Sequence, residues 1–109
     1  MKKIYLASPY SDPDPEVERL RYQAICKIAA DLMRDNPDLI VFSPISHSRG
    51  IAVHGDLPGT YAFWLNFDKA FLDWADEVYV ADMIGRETSK GILWETEYAM
   101  EIEKPVTWL

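Results

Sequence analysis

The sequence predicts a small doubly wound α/β domain, a parallel sheet of about four strands in the order 2-1-3-4 with helices on both faces. Two observations carry this. Short apolar runs near residues 3–7, 39–43, 77–81 and 105–109 alternate with longer amphipathic stretches at helical spacing, which is the pattern of strands joined by right-handed helical crossovers. The chain has 109 residues, 49% of them hydrophobic and 13% aromatic, enough for one core and no second module. Residues 1–109 are therefore read as a single domain.

The elements follow in order. Lys3 to Ala7 is a β-favouring run that stops at the turn cluster Ser8-Pro9-Tyr10-Ser11. Asp14 is placed to cap the first helix, with Pro15 at its first position and Glu16 in its first turn. Val17, Leu20, Ala24, Ile25, Ile28, Ala29, Leu32 and Met33 then form one stripe, ended by Asn36-Pro37. Leu39 to Ser43 is a second strand closed by Pro44. Ser46 to Thr60 reads as a long polar loop carrying His47 and His54, and loops of that length in compact domains are commonly functional. Thr60 opens a second helix with Trp64, Phe67, Phe71, Leu72 and Ala75 inward. Glu77 to Ala81 is the third strand, ending at Asp82. Ser89 and Gly91 open a third helix on which Ile92, Ala99 and Ile102 share a face with Glu95, and Pro105 to Leu109 is a fourth strand.

Composition excludes several classes of function. A formal charge of −7 argues against gripping a nucleic-acid backbone through counterion release, though a single nucleotide held by backbone N–H groups is compatible with it. One cysteine, Cys26, offers neither a disulfide framework nor a Cys-rich metal site. The five-residue apolar run in the opening is too short for a signal peptide or a membrane span, so a cytoplasmic location is expected. His47 and His54 lack a third ligand at metal-site spacing, and no Gly-x-Gly-x-x-Gly or Walker loop follows the first strand. No metal and no organic cofactor is expected. Tyr61, Phe63, Trp74 and Trp94 are left over outside the inner stripes, and such a set of rings predicts a homodimer or larger homo-oligomer.

Two acids stand where an amphipathic helix is expected to be apolar: Asp68 in the second helix and Glu95 in the third. Burying a carboxylate is costly unless it is paired or used, so both are candidate site residues. In the doubly wound arrangement they approach the carboxyl ends of the strands, where ligands bind. That edge also collects Ser8 to Ser11, Ser43 to His47, Asp82 and Ser89-Lys90-Gly91. The last segment presents free N–H groups and a positive helix end, suited to an anion. Two carboxylates around one sugar carbon are the arrangement used to cleave glycosidic bonds.

The motifs YLASPY, FSPISH, FDKAFLDWADEVYVAD and SKGILWETEYA followed by KPV together resemble the nucleoside 2-deoxyribosyltransferase superfamily, including its 2'-deoxynucleoside 5'-phosphate N-hydrolases and a group of short bacterial and phage proteins. The resemblance covers nearly the whole chain. It implies that Glu95 is a nucleophile forming a covalent deoxyribosyl intermediate and that Asp68 orients the sugar or assists departure of the base. Ser8, Ser89 and the backbone near Gly91 would hold a 5'-phosphate or 5'-hydroxyl, and Tyr5, Tyr10 and His47 would contact the base. Asp82 would set the charge of the site. The expected activity is cleavage or transfer of the N-glycosidic bond of a (deoxy)nucleoside or its 5'-monophosphate, with a non-catalytic nucleotide-binding or sensor module as the rival reading. In either case the partner is a small molecule.

Overall fold

The computed structural model describes all of residues 1–109. Its elements run β1 (Lys2–Ala7), α1 (Pro15–Asp35), β2 (Leu39–Phe42), α2 (Pro44–His54), α3 (Tyr61–Trp74), β3 (Glu77–Val80), α4 (Lys90–Glu101) and β4 (Val106–Trp108), with a single 3-10 turn over Arg86–Thr88. The four strands form one sheet in the order β2-β1-β3-β4, and all three pairings are parallel. Fold class and strand order are those the sequence predicts.

β1 divides the interior in two. Its alternate residues point to opposite faces. Leu6 packs with Ile25, Ala29 and Ala81 under α1. Tyr5 and Ala7 join Leu72, Ala75, Val78, Val80, Ile92 and Ala99 on the face covered by α3 and α4. The chain thus leaves β1 toward one face and β3 toward the other, opening a crevice between the two strands at their carboxyl ends.

Local chemistry explains the helix boundaries. The Asp14 carboxylate accepts from the Glu16 N–H at 2.9 Å, with Pro15 following it, and the Ser89 hydroxyl accepts from the Ile92 N–H at 3.2 Å. Thr60 occupies the cap position of α3 but makes no side-chain capping bond. The first helix buries less of its stripe than periodicity suggests: Ile25 and Ala29 are buried, whereas Leu20 and Met33 are about half exposed. Val17, Leu20, Ala24 and Ile28 line an open groove with Met83 and Ile84.

One expectation is overturned. Ser46 to His54, read as the front of a long loop, belongs to a helix that begins at Pro44. Ser43 caps this helix by accepting from the Ser46 N–H at 3.3 Å, and Pro44 takes its first position. The Ser-Pro pair is a helix start as much as a strand stop, but Gly50 and the weak apolar stripe of the following residues hid it. The true connector is short, from Gly55 to Thr60, and exposed throughout.

Of the four leftover rings, Tyr61 and Phe63 remain about half exposed. Trp74 packs edge-on to Phe71 with Lys3 over its face, and Trp94 stacks on Tyr98. No helix is long and apolar enough to cross a membrane.

Candidate active site

A cleft of about 870 Å³ lies at the carboxyl edge of the sheet, walled by the β1–α1 loop, α2, the Gly55–Thr60 connector and the N-terminal halves of α3 and α4. Ser8, Tyr10, Asp68, Ser89, Gly91 and Glu95 all line it. These residues come from three separate stretches of chain, and the crossovers on either side of the sheet bring them together.

Glu95 is buried and accepts a short hydrogen bond from the hydroxyl of Tyr5. Tyr5 is fully buried in the central strand β1, so the ring cannot stack on a ligand as the resemblance implied. It holds the glutamate instead. Burial pushes the Glu95 carboxyl up to about 8; the Tyr5 hydrogen bond opposes that rise and the charge of Asp68 adds to it. Burial likewise raises Asp68 to about 7. The tyrosine is itself driven well upward, first by burial and then by the two carboxylates. Near neutrality the two acids accordingly hold a proton between them.

Two polar atoms in the cleft are buried without a partner in the protein: the Ser8 hydroxyl oxygen and Oδ1 of Asp68. Buried groups of this kind carry a desolvation cost unless something else satisfies them. Both belong to cleft-lining residues, where a ligand hydroxyl, a phosphate oxygen or water could do so.

At the start of α4, the N–H groups of Lys90 and Gly91 precede the first intrahelical donor, the Leu93 N–H that bonds the Ser89 carbonyl, and are free for an anion. A side chain at Gly91 would meet no protein atom closer than the Ser89 hydroxyl at 3.8 Å. The glycine therefore relieves no clash inside the protein; it keeps that part of the cleft wall open.

The structure places His47 and Asp82 elsewhere. His47 is an exposed residue of α2 whose ring stacks on Phe67 at 5.2 Å and whose Nδ1 lies 3.3 Å from the Ser48 hydroxyl. Once 44–54 is helical, His47 turns away from the cleft while Ser48 and Arg49 line it. Asp82 borders the groove beside α1, not the cleft, and its exposed carboxylate lies 3.7 Å from Arg86.

Three cleft residues escaped the sequence reading. Trp64 and Trp94 line it, and Trp64 is fixed by donating its indole N–H to the Pro58 carbonyl at 2.8 Å. Arg49 also lines it. Trp94 was legible in principle, since Gly91, Trp94, Glu95 and Tyr98 recur at helical spacing on one side of α4. Arg49 lies on α2, whose sequence carries too weak an apolar stripe to announce a helix.

The family profile DUF1937, a domain of unknown function, matches residues 2–109. The chain belongs to that family. Among solved structures it is similar to a 2-deoxyribosyltransferase from the psychrotolerant bacterium Bacillus psychrosaccharolyticus, at 26% sequence identity and a TM-score of 0.59, over 97% of this chain and 70% of that one. This supports the resemblance to the nucleoside 2-deoxyribosyltransferase superfamily read from the sequence motifs. No curated protein matches the DUF1937 chain significantly.

Proposed function

We propose that this protein cleaves, or transfers, the N-glycosidic bond of a (deoxy)nucleoside or its 5'-monophosphate, using Glu95 as the nucleophile. The observation that carries the reading is the convergence of Glu95 and Asp68 from different helices on one cleft, both pushed toward neutrality by burial. Displaced pKa values in a cleft mark groups that exchange charge in use, and the activity named for the similar solved transferase agrees with this one.

In the proposed reaction the reactive form carries one proton, on Asp68; it is the minor form of the singly protonated pair, since burial raises Glu95 further than Asp68. Ionised Glu95 attacks C1' of the sugar, forming a C1'–O bond as the C1'–N bond breaks. The bonding electrons leave with the base, and Asp68 supplies the proton that neutralises it. The Tyr5 hydroxyl fixes the rotamer of Glu95 throughout. Asp68, now ionised, can accept a proton from water attacking C1', which regenerates Glu95 and completes hydrolysis. A second base attacking in place of water gives transfer. Trp64 and Trp94 provide flat apolar surface suited to a base, and Ser8 with the start of α4 suits the 5' end of the sugar.

The test is a panel of nucleosides and nucleoside 5'-monophosphates incubated with the purified protein, with free base detected by chromatography. At least one is expected to release base, and Glu95→Gln should lower the rate on the order of 10³-fold because a nucleophile acts in the transition state. No release from any member between pH 5 and 8 would leave the cleft as a binding module.

A further inference from the structure

Arg49 is unusual among the arginines of this acidic chain. Arg19, Arg34 and Arg86 are each paired with carboxylates, as an excess of acids over bases favours. Arg21, outside the cleft, donates through Nη1 to the Tyr10 and Ser11 carbonyls, at 3.3 and 3.0 Å. The Arg49 guanidinium is paired with no carboxylate. Its Nε donates to the Tyr10 hydroxyl at 3.2 Å, and its plane sits over the Tyr22 ring, 4.7 Å from the centroid. Neither terminal nitrogen has an acceptor in the protein, yet the residue lines the cleft.

That combination is a recognition device rather than a structural one. Two aromatic residues already fix the guanidinium, so little further ordering is needed when a ligand arrives. The unused edge is a fork of N–H donors whose geometry matches a phosphate or carboxylate. Its other neighbours along the cleft point the same way: the unpartnered, buried Ser8 hydroxyl, and the N-terminus of the twelve-residue helix α4 with Lys90 at its first position. Against these cations stand Asp56, Asp68 and Glu95. Because the last two share a proton near neutrality, the cleft tolerates a further negative charge that the rest of this chain, at −7, would repel.

We propose that Arg49 is a specificity-determining residue that selects substrates bearing a phosphate monoester on the sugar, making nucleoside 5'-monophosphates rather than free nucleosides the substrate class. This rests on the glycosidic-cleavage reading above, which leaves the 5' substituent open. The fork donates to two phosphate oxygens while Ser8 and the start of α4 take the others. A guanidinium could instead read a purine edge; the two roles differ in what they discriminate.

The experiment has a binding arm and a kinetic arm, so that this inference and the cleavage reading fail separately. In the first, 2-deoxyribose 5-phosphate, 2-deoxyribose and inorganic phosphate are titrated calorimetrically into the wild-type protein, Arg49→Gln and Arg49→Lys. The phosphorylated sugar should bind wild type at least tenfold more tightly than either fragment, lose at least tenfold in Arg49→Gln, and recover in part in Arg49→Lys, which keeps the charge without the fork. In the second, kcat/KM for nucleoside 5'-monophosphates should fall at least ten times further in Arg49→Gln than kcat/KM for the matching nucleosides. Equal binding of sugar and sugar phosphate by wild type overturns the proposal, as does an Arg49→Gln protein that keeps its phosphate preference but changes its ranking of bases. Absence of base release with Arg49-dependent phosphate binding intact overturns the cleavage reading alone. Should Arg49→Gln not fold, the comparison of wild type with Arg49→Lys decides, with an intermediate loss expected and unchanged binding counting against the fork.

Discussion

Two glutamates are buried in this protein, at opposite ends of one strand-and-crossover path. Glu77 opens β3 at the amino edge of the sheet; Glu95 reaches the carboxyl edge from α4. For Glu77 burial raises the pKa, but the hydrogen bonds from Lys2 and Thr107 and the charge of Lys2 outweigh it and hold the carboxyl below its ordinary range. For Glu95 burial wins, since its one direct partner is a neutral hydroxyl and its charged neighbour is another acid. Burial alone does not make a buried acid reactive. What separates the structural glutamate from the candidate nucleophile is the absence of a cation.

The sharpest way to break this comparison is to remove the acid that keeps Glu95 company. Asp68→Asn deletes the proposed proton donor and also the negative charge that raises Glu95. The wild-type rate should follow a bell-shaped pH profile, rising as the first of the pair's two protons leaves and falling as the second does. Asp68→Asn should lose the falling limb and about 10²-fold in rate at neutral pH. A variant that keeps both limbs would assign the proton to another group.

The comparison also makes opposite predictions for stability. The folded-state pKa of Glu95 is raised, so its contribution is complete below the ordinary carboxylate range and is lost as pH climbs through about 8. Glu95→Gln should match wild type near pH 5 and exceed it at pH 9 by roughly 2 kcal/mol. Glu77 is lowered, so its contribution is present above the ordinary range and disappears as pH falls below it. Glu77→Gln should cost about 1 kcal/mol at pH 7 and little in acid. Denaturant titrations of both variants at pH 3, 5, 7 and 9 would expose any departure from this crossing pattern.

The smallest expected effect belongs to Tyr5→Phe. Its hydroxyl is the one interaction that lowers the Glu95 pKa, so its removal should move the falling limb of the rate profile toward higher pH by up to about one unit. A limb that stays in place would show that the hydroxyl orients Glu95 without stabilising its charge.

The strand order is legible because each strand is a short apolar run and each crossover contains at least one amphipathic helix, α1, α3 or α4. Glu95 and Asp68 were legible because they break those stripes. What is not legible traces to residues 44–54, where Gly50 and the continuous polar run Ser46-His47-Ser48-Arg49 weaken the helical period. The helix there carries His47 away from the cleft and Arg49 into its wall. Tyr5 was noticed for its ring, but its buried hydroxyl became meaningful only with Glu95 beside it across 90 positions of chain. No local pattern reports a contact of that separation. Trp94 stands in the sequence as an extra aromatic outside the inner stripe; in the fold it lines the cleft one turn from the Ser89 cap of α4.

The place of Tyr5 in the sheet has a consequence for how the protein loosens on warming. β1 is central, paired with β2 on one side and β3 on the other, and the Tyr5 backbone becomes accessible to solvent exchange only when that whole ladder parts. The Gly55–Thr60 stretch on the far side of the cleft is exposed throughout and needs no such event to open. Amide protons around Tyr5 should therefore exchange with the free energy of global unfolding, and those of the connector many orders of magnitude faster, so the mouth of the cleft breathes while the anchor of Glu95 holds until the molecule melts as a unit.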